Sequence, residues 1–391
     1  MEKLIYDVVI VGGGVIGQTL AHQLAKMGLE LAVVDRNAFT LPAIGNHFDA
    51  KVYALNQRSQ QILQDAGSGT RLTRYAPYHE MMVWDQRGGG KIHFSCQEVA
   101  QPSLGCIVED QVLRHAVLTH SQAQPQIDLY PQQQLTQLHI EPQHACLTSP
   151  THQWKARLII GADGGQSWIR QQAAIAVKQW SYAQQAIVAV VQTKASHQNI
   201  ARQCFTPTGP LAWLPLPDEH QCVIVFSTSE DQRYAQMNEA LFADYLTQLA
   251  ATTLGETQLV SQRMMFPLTM RHAKYYTQHR LALVGDAVRT IHPLAGQGMN
   301  YGLQDVAELV ELIRQHHQAR RDYGAWHNLR AYERARKAAS WQVIAAMESF
   351  KQLFTHSSRP LAVLRSAGLN FVDQWPWLKR YFIAQALGIG N

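Results

Sequence analysis

The chain has 391 residues, 46% of them hydrophobic and 16% charged, with a formal net charge of +5. That length buries a sizeable core and fits two closely connected domains better than one. The mild basicity comes without a dense Lys/Arg block, so nucleic-acid binding is not expected, and no run of about 18 apolar residues offers a transmembrane helix.

Residues 4–11 predict a buried strand, because β-branched side chains dominate and only Tyr6 and Asp7 interrupt them. No secretory leader pattern precedes it, which points to a cytoplasmic protein. A glycine turn follows, then helical apolar spacing over 15–27 and a second strand over 29–34 that ends at Asp35. This is a strand–helix–strand unit. A helix is expected over 54–66, closed by Gly67, and short strands over 81–85 and 91–94 flank Gly88-Gly89-Gly90. Residues 109–120 read as helix, 127–147 as a meander and 156–160 as another buried strand.

Between 186 and 268 the texture changes to longer strands, at 186–192, 211–216, 223–228 and 262–266. One amphipathic helix near 239–250 interrupts them. A buried strand returns at 280–284, and helices are expected over 299–316, 325–353, 360–371 and 377–387. Five scattered cysteines form no C-x-x-C pair and no histidine pair shares a helix face with an acidic ligand. Reduced thiols and no metal site are the expectation.

Three glycine segments, each after an apolar strand, carry the chemistry. The first, Gly12-x-Gly14-x-x-Gly17, has dinucleotide spacing. Gly12 permits the tight turn, Gly14 lets the backbone approach a pyrophosphate, and Gly17 allows close packing of helix on strand. Asp35, followed by Arg36, stands where a ribose hydroxyl would be held. The second, Gly161-Ala162-Asp163-Gly164-Gly165, pins a carboxylate in a turn at a strand end. The third runs from Gly285-Asp286 through Arg289, His292 and Pro293 to Gly296, Gly298, Met299 and Asn300. Asp286 is placed to bond a ribityl hydroxyl, and the helix opening at Gly296 to Asn300 would stabilise negative charge on a reduced ring. The first loop alone does not separate FAD from NAD. Three such loops fit one long ligand, FAD.

The expected architecture is α/β. A Rossmann-like FAD-binding domain (1–75, 96–180 and 271–340) carries substrate-domain strands at 76–95 and a β-rich substrate domain at 181–270. A helical region closes the chain at 341–391.

Together these segments resemble the FAD-dependent aromatic-ring hydroxylases, and more closely the ubiquinone-biosynthesis hydroxylases that act on polyprenyl phenols. The likeness also rests on Asp49-x-Lys51-Val52-x-Ala54-Leu55, Met82-Val83-Trp84-Asp85 and Leu104-Gly105-x-Ile107-Val108-Glu109. It continues through Trp180-x-Tyr182-x-Gln184, Leu214-Pro215-Leu216, Phe266-Pro267-Leu268 and Tyr332-Glu333-Arg334-x-Arg336-Lys337. It covers nearly the whole chain.

The resemblance implies that NAD(P)H or a partner reductant reduces FAD, and that O2 then gives a flavin C4a-hydroperoxide that hydroxylates a phenol ring. His292 is the nearest candidate base and Pro293 would stiffen the turn beside the flavin, although a histidine before proline also serves turn structure alone. Two residues depart from the family pattern: Lys51 stands where arginine is usual, and Arg289 where histidine is usual. Lys51 loses the planar fork, and Arg289 adds a permanent cation near the expected flavin. Phe205, Trp213 and Phe226 are candidates for an apolar substrate pocket, or for ordinary sheet core. The run 332–337 reads as a charged helix face. The aromatic and cationic tail from Pro360 suits contact with a membrane or with other ubiquinone-synthesis proteins, or packing on the helical domain. Alternatives are a hydroxylase for another aromatic substrate and a non-catalytic flavoprotein scaffold.

Overall fold

The computed structural model describes residues 5–250, 253–290, 297–355 and 375–388. The sequence YDVVIV forms the strand Tyr6–Val11, with Val8, Val9 and Ile10 wholly buried. It lies at the centre of a parallel layer, paired with Leu31–Val34 on one side and Gln153–Gly161 on the other. Ile127–Tyr130 and Leu281–Leu283 extend that layer outward, both parallel to their neighbours. The chain departs from Tyr6–Val11 first to one side and later to the other. That reversal of strand order opens a crevice at the carboxyl ends of the strands, where ligands of such sheets bind.

The helices Val15–Ala25 and Gln297–Gln318 pack together on this layer, and Val306, Leu309 and Ile313 join its core. Gly302 makes the close approach possible, since a Cβ there would meet Ile16 Cδ1 at 2.7 Å.

The second sheet has nine strands. Its path runs Arg289–Thr290, Met264–Ala273, Val177–Thr193, Gln221–Thr228, Gly209–Pro215, Ile200–Thr206, Glu80–Asp85 and Lys91–Ser95, with Thr257–Leu259 added beside Val177–Thr193. Glu80–Asp85 and Lys91–Ser95 therefore join strands more than a hundred residues later. A small third sheet pairs Gly105–Glu109 with Val52–Leu55 and Ala76–Tyr78.

Three expected boundaries change most, and the strand expected at 262–266 runs Met264–Ala273. The strand expected at 186–192 spans Val177–Thr193, because a register shift between Ser181 and Gln185 interrupts the alternation that would have shown its continuity. Ala183 takes φ +52° there. The helix expected over 54–66 starts only at Gln57. Val52–Leu55 is a strand, and Asn56 caps the helix by accepting from the Ser59 N–H. The helix expected near 239–250 spans Glu239–Ala250.

Candidate active site

The three glycine segments meet at the carboxyl end of the parallel layer. The Ala162 N–H donates to the Val11 carbonyl and the Val284 N–H to the Gly161 carbonyl, so the three strand ends are laced side by side. Gly12 sits at φ +111°, and a Cβ on it would lie 2.3 Å from the Ala162 oxygen. A Cβ on Gly17 would lie 1.9 Å from the Gly12 oxygen. Only hydrogen fits at either position. Gly14 differs: it caps the helix Val15–Ala25, and a Cβ there would meet nothing within 4 Å. That open cradle at a helix N-terminus suits a pyrophosphate. Asp35 accepts from the N–H groups of Gly13 and Asn37, which fixes its carboxylate beside the cradle, and Arg36 is exposed.

In the second segment Asp163 accepts from the Ile169 N–H through Oδ2, while its Oδ1 is buried without a partner. Burial raises its pKa against the hydrogen bonds that lower it. An acceptor left over in a cofactor crevice fits a ligand hydroxyl. Arg170 ties this segment to the third, donating to the carbonyls of Ala287 and Gly165.

The third segment turns at Gly285, φ +62°. Asp286 is exposed along the crevice yet surrounded by protein on its other sides. Burial raises its pKa, and Arg289 opposes that rise. His292, Pro293 and Gly296 lie outside the described residues. Gly298 borders open space, and Met299 is half-buried against Leu303 and Leu55. Asn300 is buried: it accepts from the Asn56 N–H and donates to the Ala54 carbonyl.

Although its charge still acts on Asp286, Arg289 presents no exposed guanidinium to the crevice. Its side chain is 1% exposed and pairs with both oxygens of Asp305, at 2.9 and 3.0 Å. Arg336 reaches the same carboxylate at 2.7 Å, and the Gly285 N–H donates to it at 3.0 Å. Burial alone would lower the Arg289 pKa, but Asp305, with smaller contributions from Tyr276 and Tyr332, opposes it and the net shift is upward. The cation that the sequence led us to expect beside the flavin is therefore one half of a buried ion pair with Asp305. The run 332–337 is corrected, because Tyr332 and Arg336 are buried, and the Tyr332 hydroxyl donates to the Leu283 carbonyl. Sequence reasoning passed over Asp305. Its signal was an acidic residue inside the apolar stripe Leu303, Val306, Leu309.

Lys51 stands at the other rim. Its side chain is 59% exposed and lies 3.1 Å from Asp110, which also accepts from the Tyr53 hydroxyl. Beside it a cavity of about 490 Å³ runs under the second sheet, lined by Ala50, Val52, Val188, Ala212, Leu214, Val225, Met264 and Phe266, with Asp49, Lys51, Gln203 and Ser227 as its polar wall. Its lining is mostly apolar, as small-molecule sites are.

Trp213 and Phe226 are wholly buried on the opposite face of that sheet. They pack with Phe242 and Leu246 of the helix Glu239–Ala250, and Trp213 stacks on Trp84 at 5.8 Å. Their assignment to the pocket is corrected by the alternation itself, since Ala212, Leu214 and Val225 face the cavity. Phe205 pairs with Pro210 on the cavity side, next to the wall residues Gln203 and Ala212.

The C-terminal helix Pro376–Leu387 packs on the body. Ile383 and Leu387 cluster with Cys96 and Leu104, and Lys379 pairs with Glu98 at 2.8 Å. The expected helix 360–371 lies outside the described residues. No described helix is long and apolar enough to cross a membrane. Among the described residues one group of three metal-capable donors, Glu141, His144 and Cys146, comes within 4.8 Å; His144 already pairs with Glu141.

The profile of the family described as FAD binding domain matches residues 5–347. The chain is 34% identical to the ubiquinone hydroxylase UbiL of Rhodospirillum rubrum, covering 98% of this chain and 89% of that one. It is 33% identical to the 3-demethoxyubiquinol 3-hydroxylase of Escherichia coli, covering 98% of each. Among solved structures, the p-nitrophenol 4-monooxygenase PnpA of Pseudomonas putida superposes with a TM-score of 0.78 at 15% identity, over 99% of both chains. PqsL of Pseudomonas aeruginosa gives 0.73 at 19%, over 94% of this chain and all of that one. These two likenesses concern the fold alone.

Proposed function

Because the chain belongs to the FAD-binding family, in its branch of ubiquinone-biosynthesis hydroxylases, we propose that it is an FAD-dependent monooxygenase. Its substrate is the aromatic ring of a polyprenyl phenol intermediate on the way to ubiquinone. The observation that carries this reading is the adjacency of two sites. A crevice with an open glycine cradle and an unpartnered Asp163 oxygen neighbours a mostly apolar cavity large enough for a substituted ring, since Lys51 lines that cavity and its charge acts on Asp286 of the third glycine segment.

Gly12, Gly14, Gly17 and Asp35 would hold the adenosine and pyrophosphate part of FAD. Asp163 and Asp286 would accept hydroxyls, and Gly298, Met299 and Asn300 would set the helix that faces the ring. FAD, when bound and reduced by NAD(P)H or a partner reductant, would supply the oxidising chemistry, one atom of O2 entering the substrate and the other leaving as water. The protein's own part is to orient and to exclude water. Val188, Leu214 and Val225 present an apolar wall to the ring, while Gln203 and Ser227 offer it hydrogen bonds. His292 and Pro293, which lie outside the described residues, belong to this proposal on the sequence alone, as candidate base and turn-stiffening proline.

The test is to express the chain in hosts each lacking one ubiquinone-pathway hydroxylase. Restored ubiquinone in one host, with loss of the accumulated precursor, names the ring carbon. A yellow, FAD-loaded protein that rescues none of them overturns the assignment.

A further inference from the structure

A second cleft lies at the far end of the parallel layer. Its volume is about 700 Å³, and its walls come from the start of the strand Gln153–Gly161, the turn before Leu281–Leu283, and the link after the helix Gln297–Gln318. Lys155 and Gly161 sit on one strand, six residues apart at about 3.3 Å each, so this cleft is about 20 Å from the glycine cradle. It is separate from the flavin crevice.

Its charge is one-sided. Lys155, Arg157, Arg280, Arg320 and Arg321 line it against one lining carboxylate, Asp322. Arg280, 6% exposed, spends its guanidinium on both Asp322 oxygens and on the Pro142 carbonyl, so that pair is neutral and forms a rigid floor. Arg157 leans on Asp7 at 3.7 Å. Among the described residues no carboxylate lies within 4 Å of Lys155, Arg320 or Arg321. The C-terminal dipole of the helix Gln297–Gln318 accounts for Arg320 and Arg321 but not for cations delivered from a different strand. Lys155 is also the cross-strand neighbour of Cys146, which puts a cation against the nearby Glu141–His144–Cys146 group and argues against a metal there.

We propose that this cleft binds a phosphate-bearing anion. Converging guanidinium groups pair with phosphate oxygens through two parallel hydrogen bonds, and a half-buried lysine adds a point charge. The concave floor suits a head group or a small phosphate ester rather than a flat polyanion. The site is independent of which ring the enzyme hydroxylates.

The test uses the FAD-loaded full chain and the Arg320→Ser/Arg321→Ser variant, whose altered residues are exposed and remote from the cofactor crevice. Pyrophosphate binding is measured by calorimetry, and vesicle binding by co-sedimentation with phosphatidylcholine alone or mixed with phosphatidylglycerol. FAD content and melting temperature serve as controls, and Lys155→Gln is the second variant. Pyrophosphate binding that weakens roughly tenfold or more in both variants, without vesicle binding, identifies a free phosphate ester. Phosphatidylglycerol-dependent sedimentation lost in both variants identifies a lipid head group. A wild-type protein that binds neither, or variants that bind as well as it does, overturns the site.

Discussion

Lys51 and Arg289 are the two residues that the resemblance marks as departures, and their surroundings are opposite. Lys51 is 59% exposed and faces Asp110 across one contact at the cavity rim. Arg289 is 1% exposed and locked to Asp305, which also holds Arg336 and the Gly285 N–H. A substitution at the rim is free to tune, because water screens whatever charge it brings. A residue in the buried cluster has to suit the Asp305 carboxylate. Arginine does, since its fork meets both Asp305 oxygens. The lesson is that a departure from a family pattern is judged by its partner, not by its charge.

The sharpest way to break this comparison is to remove the partner. Asp305→Ala strands two buried guanidinium groups and frees the Gly285 turn, so we expect a loss of about 3–5 kcal/mol in denaturant unfolding, with weakened FAD retention. A loss under about 1 kcal/mol would show that the cluster is incidental. Next come the two faces of the antiparallel sheet. Phe226→Leu should lower stability by about 1 kcal/mol with KM unchanged, whereas Leu214→Phe, which fills the cavity, should raise KM several-fold with little change in melting temperature. Reversal of those two outcomes would place the substrate on the helix-covered face. The smallest effect belongs to the rim. Lys51→Arg restores the usual family residue and should shift stability by under about 0.5 kcal/mol, with any change confined to FAD affinity measured by fluorescence quenching.

The parallel layer was legible because the strands Tyr6–Val11, Gln153–Gly161 and Leu281–Leu283 each carry an apolar run that leads into a glycine turn, a pattern with few other structural solutions. The helix Glu239–Ala250 was legible for the same reason of unmixed periodicity. Alternation also showed that the later strands have two apolar faces, but not which face a helix covers. Size holds that information: the bulky Trp213 and Phe226 fill the space under the helix, while Ala212, Leu214 and Val225 leave room for a ligand. Asp305 was hidden because its partners come from Arg289 and Arg336, sixteen and thirty-one residues away on other elements. The basic cleft escaped for a similar reason, its cations coming one or two at a time from three separate stretches.

Asn56 and Asn300 acquire a mechanical meaning once the C-terminal helix is placed. Asn300 grips the end of the strand that walls the cavity, Asn56 caps the following helix, and the Asn56 amide donates to the Ala386 carbonyl. Four elements are riveted through two side chains. Val52 and Ala54 wall the cavity, so that wall is tied through these two side chains to the helices Gln297–Gln318 and Pro376–Leu387, and the C-terminal helix braces it as a strut.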